Sequence, residues 1–425
     1  MIKKKYTVIL YWLIMLALLV MFFTNDFGLV DLSKTSVVVA VGVDVEDEEV
    51  MVTAQVAVPQ PSQSGDNVKY VQVQGRGLTV ADCLNEINSK TGFYPKLLFC
   101  KLILIGEECK DEELFRVLGC FYRRNYSELT ALVAMCKGKA MDMLAMPATI
   151  SQENSTAMQR ALSEELKKSA NVSSVSLKDI AESNYSVSRA CYMPFIEANI
   201  EGTSEGGGDG DNVGGESGSS GGQSQGGGSS GGESGGSSGG GGSGGSSGGE
   251  GGQGEQKKME FTARQTAVFN DGKFVGLLDE SSSFALNILK NEIRLAVVPC
   301  DAGDTHYTVG LKNADGGVKL KFEDATPKLT LSFNALAQIQ GAKKVLDPDS
   351  VMFDDVVKPE VLKAAEDTIK QRFDELMELC VKTDSDILGV RTLLHKYNYK
   401  YYEAFKDKIL SEMQVEYDVK IESLN

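Results

Sequence analysis

The chain has 425 residues, 42% of them hydrophobic and 24% charged, which suits two or three globular domains with real cores. Its formal net charge of −16 lacks the basic face that nucleic-acid binding requires and disfavours adhesion of the soluble part to anionic lipid. Only two histidines occur, His306 and His395, far apart and without neighbouring motifs, so both read as surface or loop residues and acid–base catalysis is poorly provisioned.

Residues Tyr6 to Phe23 form an unbroken apolar run of 18, preceded by Lys3, Lys4 and Lys5. A helix needs ~20 apolar residues to cross a ~30 Å hydrocarbon core, so the run predicts a single-pass anchor over residues 1–25. The lysines place the N-terminus in the cytoplasm and everything from Thr24 onward outside it. A cleaved signal peptide is the competing reading. It requires a shorter apolar stretch and a small-x-small cleavage site, and the residues around Phe23 supply none.

A first α/β unit is expected over residues 33–147. Ser36 to Val45 and Val50 to Val58 are β-branched runs joined by an acidic turn, which predicts a hairpin; Val68 to Gln74 adds a third strand. Thr79 opens a helix that ends at Gly92. A strand over Leu97 to Ile105, a helix over Asp111 to Tyr122, a strand over Leu129 to Met135 and a short helix over Lys137 to Met143 follow. Residues 148–200 add helices at Ser155 to Lys168 and Ser176 to Ser183, the second with Ser176 and Asp179 as a capping box, then a strand at Met193 to Ala198.

Glu201 to Gln256 holds 28 of the chain's 45 glycines, with eight acids and no base. That composition cannot offset chain entropy by burial, so a disordered linker over 201–256 is expected, separating two folded halves without fixing their geometry. A tolerated loop expansion is the alternative, because loop length costs only ~0.6 kcal/mol per doubling.

The second unit, 257–425, opens with Glu260 to Phe269 and Lys273 to Leu277 around Asn270-Asp271-Gly272, a strong hairpin signal. A helix over Ser281 to Leu289 precedes strands at Arg294 to Val298, Thr305 to Lys312, Gly317 to Glu323 and Leu329 to Gln340. Helices are expected over Lys358 to Lys382, Ile387 to Lys396 and Tyr397 to Lys408, and a last strand over Met413 to Ile421. The whole is an α+β protein with antiparallel-rich sheets.

Chemistry-bearing motifs are scarce. The eight cysteines are irregularly spaced, and several lie in apolar stretches, so they read as small buried hydrophobes rather than disulfides or metal ligands. Asp44, Asp47, Glu48 and Glu49 form an acidic segment that could attract a cation, although calcium loops need defined oxygen spacing and a shaping glycine; a solvated turn is the simpler reading. Tyr397, Tyr399, Tyr401, Tyr402 and Phe405 suggest packing of a C-terminal helix more than a contact surface. No residue is assigned a catalytic, cofactor-binding or metal role.

The order of segments resembles the Ger(x)C family, the C subunits of spore germinant receptors. SVVVAVGVDVEDEEVMVTAQVAVPQ is similar to its opening strands, with Gly42 and Asp44 at a Gly-x-Asp turn. GLTVADCLNEINSKTGFYPKLLFCKLILIGEE is similar to its helix and following strand, with Cys100 in a place usually held by histidine. LFRVLGCFYRRNYSELTALVAMCKGKAMDML matches a third segment, with Arg124 and Asn125 where Arg-Asp is common. TAVFNDGKFVGLLDESSSFALNILKNEI resembles the start of the C-terminal domain, including Phe269, Lys273, Gly276 and Leu278, and Asp386 and Gly389 match its closing region. The usual lipobox cysteine is missing, since NDFGLVDLSKTS contains neither Cys nor Trp.

The resemblance implies a non-enzymatic, membrane-attached extracytoplasmic subunit without cofactors, working with integral-membrane A-like and B-like receptor subunits in nutrient-triggered germination. Its place would be the inner spore membrane or the cell membrane. A binding protein or adhesin displayed on a flexible stalk is the alternative suggested by the Gly/Ser tract.

Overall fold

A computed structural model describes residues 10–19, 35–59, 68–111, 114–123, 127–146, 154–163, 170, 172–200, 259–290, 293, 295–343 and 356–424. Helix α1 covers residues 10–19, within the apolar run, and its large side chains are exposed. Among the described residues no helix is long and apolar enough to cross a membrane. The expected span from Tyr6 to Phe23 is therefore not shown; its two ends lie outside the described residues.

The first sheet contains β1 (Thr35–Glu46), β2 (Glu49–Pro59), β3 (Val68–Gly77), β4 (Tyr94–Lys96), β5 (Leu102–Gly106), β6 (Leu132–Cys136), β7 (Ala190–Ile200), β8 (Met259–Asn270) and β9 (Lys273–Leu278). Their order is β3-β2-β1-β5-β6-β7-β8-β9, with β4 beside the start of β1. β1, β5, β6 and β7 are parallel neighbours, and hairpins close both flanks. The β1–β2 turn has positive φ at Asp47 (50°) and Glu48 (66°), and the β8–β9 turn at Asp271 (51°) and Gly272 (77°). Both have the positive φ pair of two-residue hairpins, and Asp271-Gly272 also carries the residues that this conformation favours.

One face of this sheet packs on α2 (Val80–Thr91), α3 (Leu114–Arg123) and α6 (Leu177–Tyr185), with Val52, Ile87, Ile105, Leu118 and Ile180 in the core. Helix α2 begins at the Thr79 cap and stops at Gly92, whose φ of 70° is the left-handed conformation that a side chain disfavours. Helix α6 carries the expected Ser176/Asp179 capping box. The opposite face takes α4 (Ala140–Ala145) and α5 (Asn154–Leu162) around Leu102, Leu104, Leu144 and Met158.

The second sheet is β10 (Leu295–Ala302), β11 (Thr305–Glu323), β12 (Thr326–Ala342) and β13 (Gln414–Ser423), in that order. β13 runs parallel to β12, which demands a long crossover. Helix Pro359–Lys382 supplies its main part and buries Val361, Ala365, Ile369, Phe373, Leu376, Met377 and Cys380 as one helical stripe. Helix α7 (Glu280–Leu289) lies in the same core.

Three expectations change. The Gly/Ser tract does not leave its flanks unrelated: β7 and β8, on either side, form an antiparallel ladder from Ala190↔Asn270 to Ile200↔Met259. Composition reports on the connection and carries no information about which strands it joins. The two strands expected at Thr305 to Lys312 and Gly317 to Glu323 are one strand, with a bulge between Lys312 and Asp315. Its glycines serve close approach, since a Cβ on Gly316 would collide with the Ile288 carbonyl oxygen. The strand expected over Leu97 to Ile105 is broken by a 3-10 turn at Leu97–Phe99, as the chain passes from β4 to β5.

Because β7 and β8 meet directly, replacing residues 201–258 by a turn of about four residues should preserve the fold. It should raise stability by up to about 2 kcal/mol through loop closure. Equilibrium denaturation checks this, and loss of cooperative unfolding would show that the tract is structural.

Candidate functional site

The two aspartates of the recognisable motifs do the same physical job in different cores. Asp44, on β1, is buried, and its carboxylate accepts hydrogen bonds from the backbone N–H groups of Ala140 (2.6 Å) and Met141 (3.0 Å). It thus satisfies the orphan donors at the start of α4 from 96 residues away in sequence. Neighbouring backbone leaves it little room: a Cβ on Gly42 would press on Ala140, and one on Gly106 would fall on Asp44 Oδ1. Asp44 therefore does not belong with the exposed turn residues Asp47, Glu48 and Glu49, and the grouping of the four as a cation-binding candidate fails at its first member. The helix it caps packs Ala140, Met143 and Leu144 against the sheet, and nothing in the sequence next to Asp44 points to it.

Asp386 is buried as well. It accepts from the N–H groups of Val390 (2.6 Å) and Arg391 (2.7 Å), opening helix Val390–Tyr397, and from the hydroxyl of Ser188 (2.5 Å). Gly389, at φ 79°, makes the turn between carboxylate and helix. Arg391 is held by the Lys406 carbonyl (3.0 Å) and the Asp384 carboxylate (2.5 Å). Ser188 precedes β7, so this network ties the middle of the chain to its C-terminal part.

A second polar seam runs alongside. Ser173 donates to Asn287 Oδ1 (2.8 Å) and meets the Thr266 hydroxyl (3.1 Å), and Asn287 donates to the Ala170 carbonyl (2.8 Å). Asn270 Nδ2 reaches the Asp384 carbonyl (3.1 Å). Ser188, Ser173, Asn287 and Arg391 escaped the sequence reading, because nothing local distinguishes a buried serine or asparagine from a solvated one.

Between α6 and the region of Asp386 lies an open cleft of about 540 Å³, bordered by Ser183, Tyr192, Lys290, Asp386 and Thr392. A second cleft of about 550 Å³ lies beside α3, at Phe115, Cys120 and Arg189. In the first, the Ser188 hydroxyl donates to Asp386, whose oxygens also hold the N–H groups of Val390 and Arg391. His306 is exposed on β11 beside Asp301 (2.7 Å), and His395 packs edge-on against Tyr399 and Tyr402. Among the described residues, no group of three or more His, Cys, Asp or Glu side chains could hold a metal ion. The hydrogen bonds at Asp386 join residues 188 and 386–391 into one structural joint.

The aromatic cluster divides. Tyr401 stacks on Phe322 (4.0 Å between centroids) with Phe405 edge-on, whereas Tyr397 and Tyr399 stay exposed. It belongs to a 3-10 turn at Tyr399–Tyr401 and a short helix at Tyr402–Phe405, where one continuous helix was expected.

All eight cysteines are free, and all but the half-buried Cys120 are buried. Burial raises the Cys83 thiol to about 11 and those of Cys100, Cys109 and Cys380 to about 12. Such thiols are inert.

Two family descriptions match the chain. Residues 29–198 match "Spore germination protein N-terminal domain" and residues 264–423 match "Spore germination B3/ GerAC like, C-terminal". The chain belongs to the Ger(x)C family of spore germination proteins. It is similar to the crystal structure of the GerBC protein at 12% identity and a TM-score of 0.48, over 91% of this chain and 97% of that one. No curated protein matches it.

Asp44→Ala and Asp386→Ala should each lower stability by about 1–2 kcal/mol, since each strands buried backbone donors. The pH dependence distinguishes charge from shape. Burial pushes Asp386 above its ordinary value of 3.8, against the hydrogen bonds from Ser188, Arg391 and Val390 and the Arg391 charge. Stability contributed by the protonated form is full below 3.8 and is lost as pH rises through the raised native value. The cost of Asp386→Asn relative to wild type should therefore shrink as pH rises through that window; a constant cost in denaturation curves would contradict it.

Thiol accessibility supplies another check. A maleimide should label the native chain at Cys120 first and all eight cysteines only after unfolding; several fast-reacting sites in native buffer would refute the buried arrangement.

Proposed function

We propose that this chain is the non-enzymatic, membrane-anchored C subunit of a spore germinant receptor-like complex, acting in nutrient-triggered germination by contact with A-like and B-like integral-membrane subunits. The observation that carries this reading is the pair of germination-family matches, at residues 29–198 and 264–423, on either side of the Gly/Ser tract. The apolar run from Tyr6 to Phe23 behind Lys3, Lys4 and Lys5 supports a single-pass anchor with the folded part outside the cytoplasm. It would replace the lipid of lipobox-bearing relatives. The rigid joint around Asp386 and Ser188 supports a scaffold presenting fixed surfaces.

Deleting the gene in its sporulating source should abolish or strongly slow germination in response to a nutrient, and affinity capture of the full chain from native membranes should recover A-like and B-like subunits. Normal germination of the deletion strain to every nutrient tried, with neither subunit captured, would refute the reading. A stalked adhesin predicts otherwise: removing residues 201–258 would abolish ligand capture, whereas a receptor subunit with its β7–β8 ladder intact should keep germinating.

A further inference from the structure

Apart from Leu78 and Leu277, the exposed apolar side chains of the first sheet gather at one end. Val37, Val71, Phe93, Leu98, Phe99 and Leu129 are all exposed, and all lie at one end of the strands. Val37 is at the start of β1, opposite Lys96 of β4, and Val71 is in the first half of β3, which runs parallel to β1. Phe93 follows the α2 cap, while Leu98 and Phe99 form the turn that enters β5. Leu129 precedes β6, which is parallel to β5. The Lys101 N–H donates to the Val39 carbonyl, and the Leu132 N–H to the Lys101 carbonyl, fixing these turns side by side.

The same end receives the N-terminal segment. The apolar run stops at Phe23 and β1 starts at Thr35, so 11 residues join them. Fully extended, that length reaches at most about 40 Å. Charge agrees with the geometry. Among the described residues on or beside these strand starts are Lys69, Lys96 and Lys101 against Glu128, with Lys178 and Asp179 opening the adjacent α6. The far end of the same strands carries Glu46, Asp47, Glu48, Glu49, Glu107 and Glu108, together with Arg76, Lys110, Lys137 and Lys139; Leu78 is exposed there. A chain of net charge −16 has few faces that can approach an anionic bilayer without repulsion, and this end is one of them.

We infer that the end of the first sheet formed by Val37, Phe93, Leu98, Phe99 and Leu129 rests on the lipid surface, with the phenyl rings seated in the headgroup region. The inference rests on the anchor reading above, since the tether holds this end at high local concentration next to the bilayer. Each contact is weak alone, and the tether makes it persistent. The acidic β1–β2 turn then points away from the membrane.

The chain contains a single tryptophan, Trp12, inside the apolar run, which permits a clean test with the full chain. In vesicles of phosphatidylcholine and phosphatidylglycerol with brominated acyl chains, Trp12 of the wild type reports on the anchor. In a Trp12→Phe background, Phe99→Trp reports on the docked end and Lys137→Trp on the far end. Emission from position 99 should fall by about half or more and shift to the blue, because a ring ~5–10 Å into the boundary is within reach of the bromines. Emission from position 137 should not change. Quenched Trp12 with unquenched position 99 would overturn the docking and keep the anchor, leaving the apolar end to a protein partner. Equal quenching at 99 and 137 would overturn the orientation. Unquenched Trp12 would sink the anchor reading, and position 99 would still decide the docking by itself. Leu98→Trp, at an equally exposed position, replaces Phe99→Trp if circular dichroism shows that variant to be misfolded.

Discussion

The structure depends on one strand that belongs to two cores. Along β8, Ala267 and Phe269 face the core shared with α2, α3 and α6, while Val268 faces the core built on α7 and helix Pro359–Lys382. β7 behaves likewise, with Ala190 in the second core and Cys191 and Met193 in the first. A slip of one residue in the β7–β8 register would turn every one of these side chains into the wrong core. The ladder between them is therefore strongly specified, although a long polar tract separates its strands in sequence. The chain's two matched domains are welded by that ladder.

The polar groups near the weld reinforce it. Ser188 lies just before β7 and meets Asp386, which starts a helix of the second core; Thr266 on β8 meets Ser173 and, through it, Asn287 of α7. Buried hydrogen bonds of this kind add little net stability when satisfied and cost a good deal when one partner is lost. They select one relative placement of the two cores out of many that hydrophobic burial alone would tolerate. The buried carboxylates Asp44 and Asp386 are both engaged in this way, each at the start of a helix.

What the sequence revealed follows the range of the interactions. Hairpins with their own turn signals, Asp47-Glu48 and Asn270-Asp271-Gly272, were legible because turn and strands are adjacent. Caps at Thr79, Gly92 and Ser176 were legible for the same reason. The β7–β8 pairing was not, since strand pattern says that a partner exists without saying which. Asp44 reads with the acidic turn, because its partners at Ala140 and Met141 are remote in sequence. The strand break at Leu97–Phe99 was hidden because the apolar run reads the same whether its residues face a core or an open end. The resemblance to the Ger(x)C family was carried by such local segments in collinear order, and the two matched domains bear it out.

Cleavage within the Gly/Ser tract tests the weld most directly. With a specific protease site inserted between residues 201 and 258, the cut chain should migrate in gel filtration as one species of uncut size, its two fragments separating only in denaturant. Fragments that part in native buffer would contradict a continuous sheet and return the molecule to two independent halves on a linker.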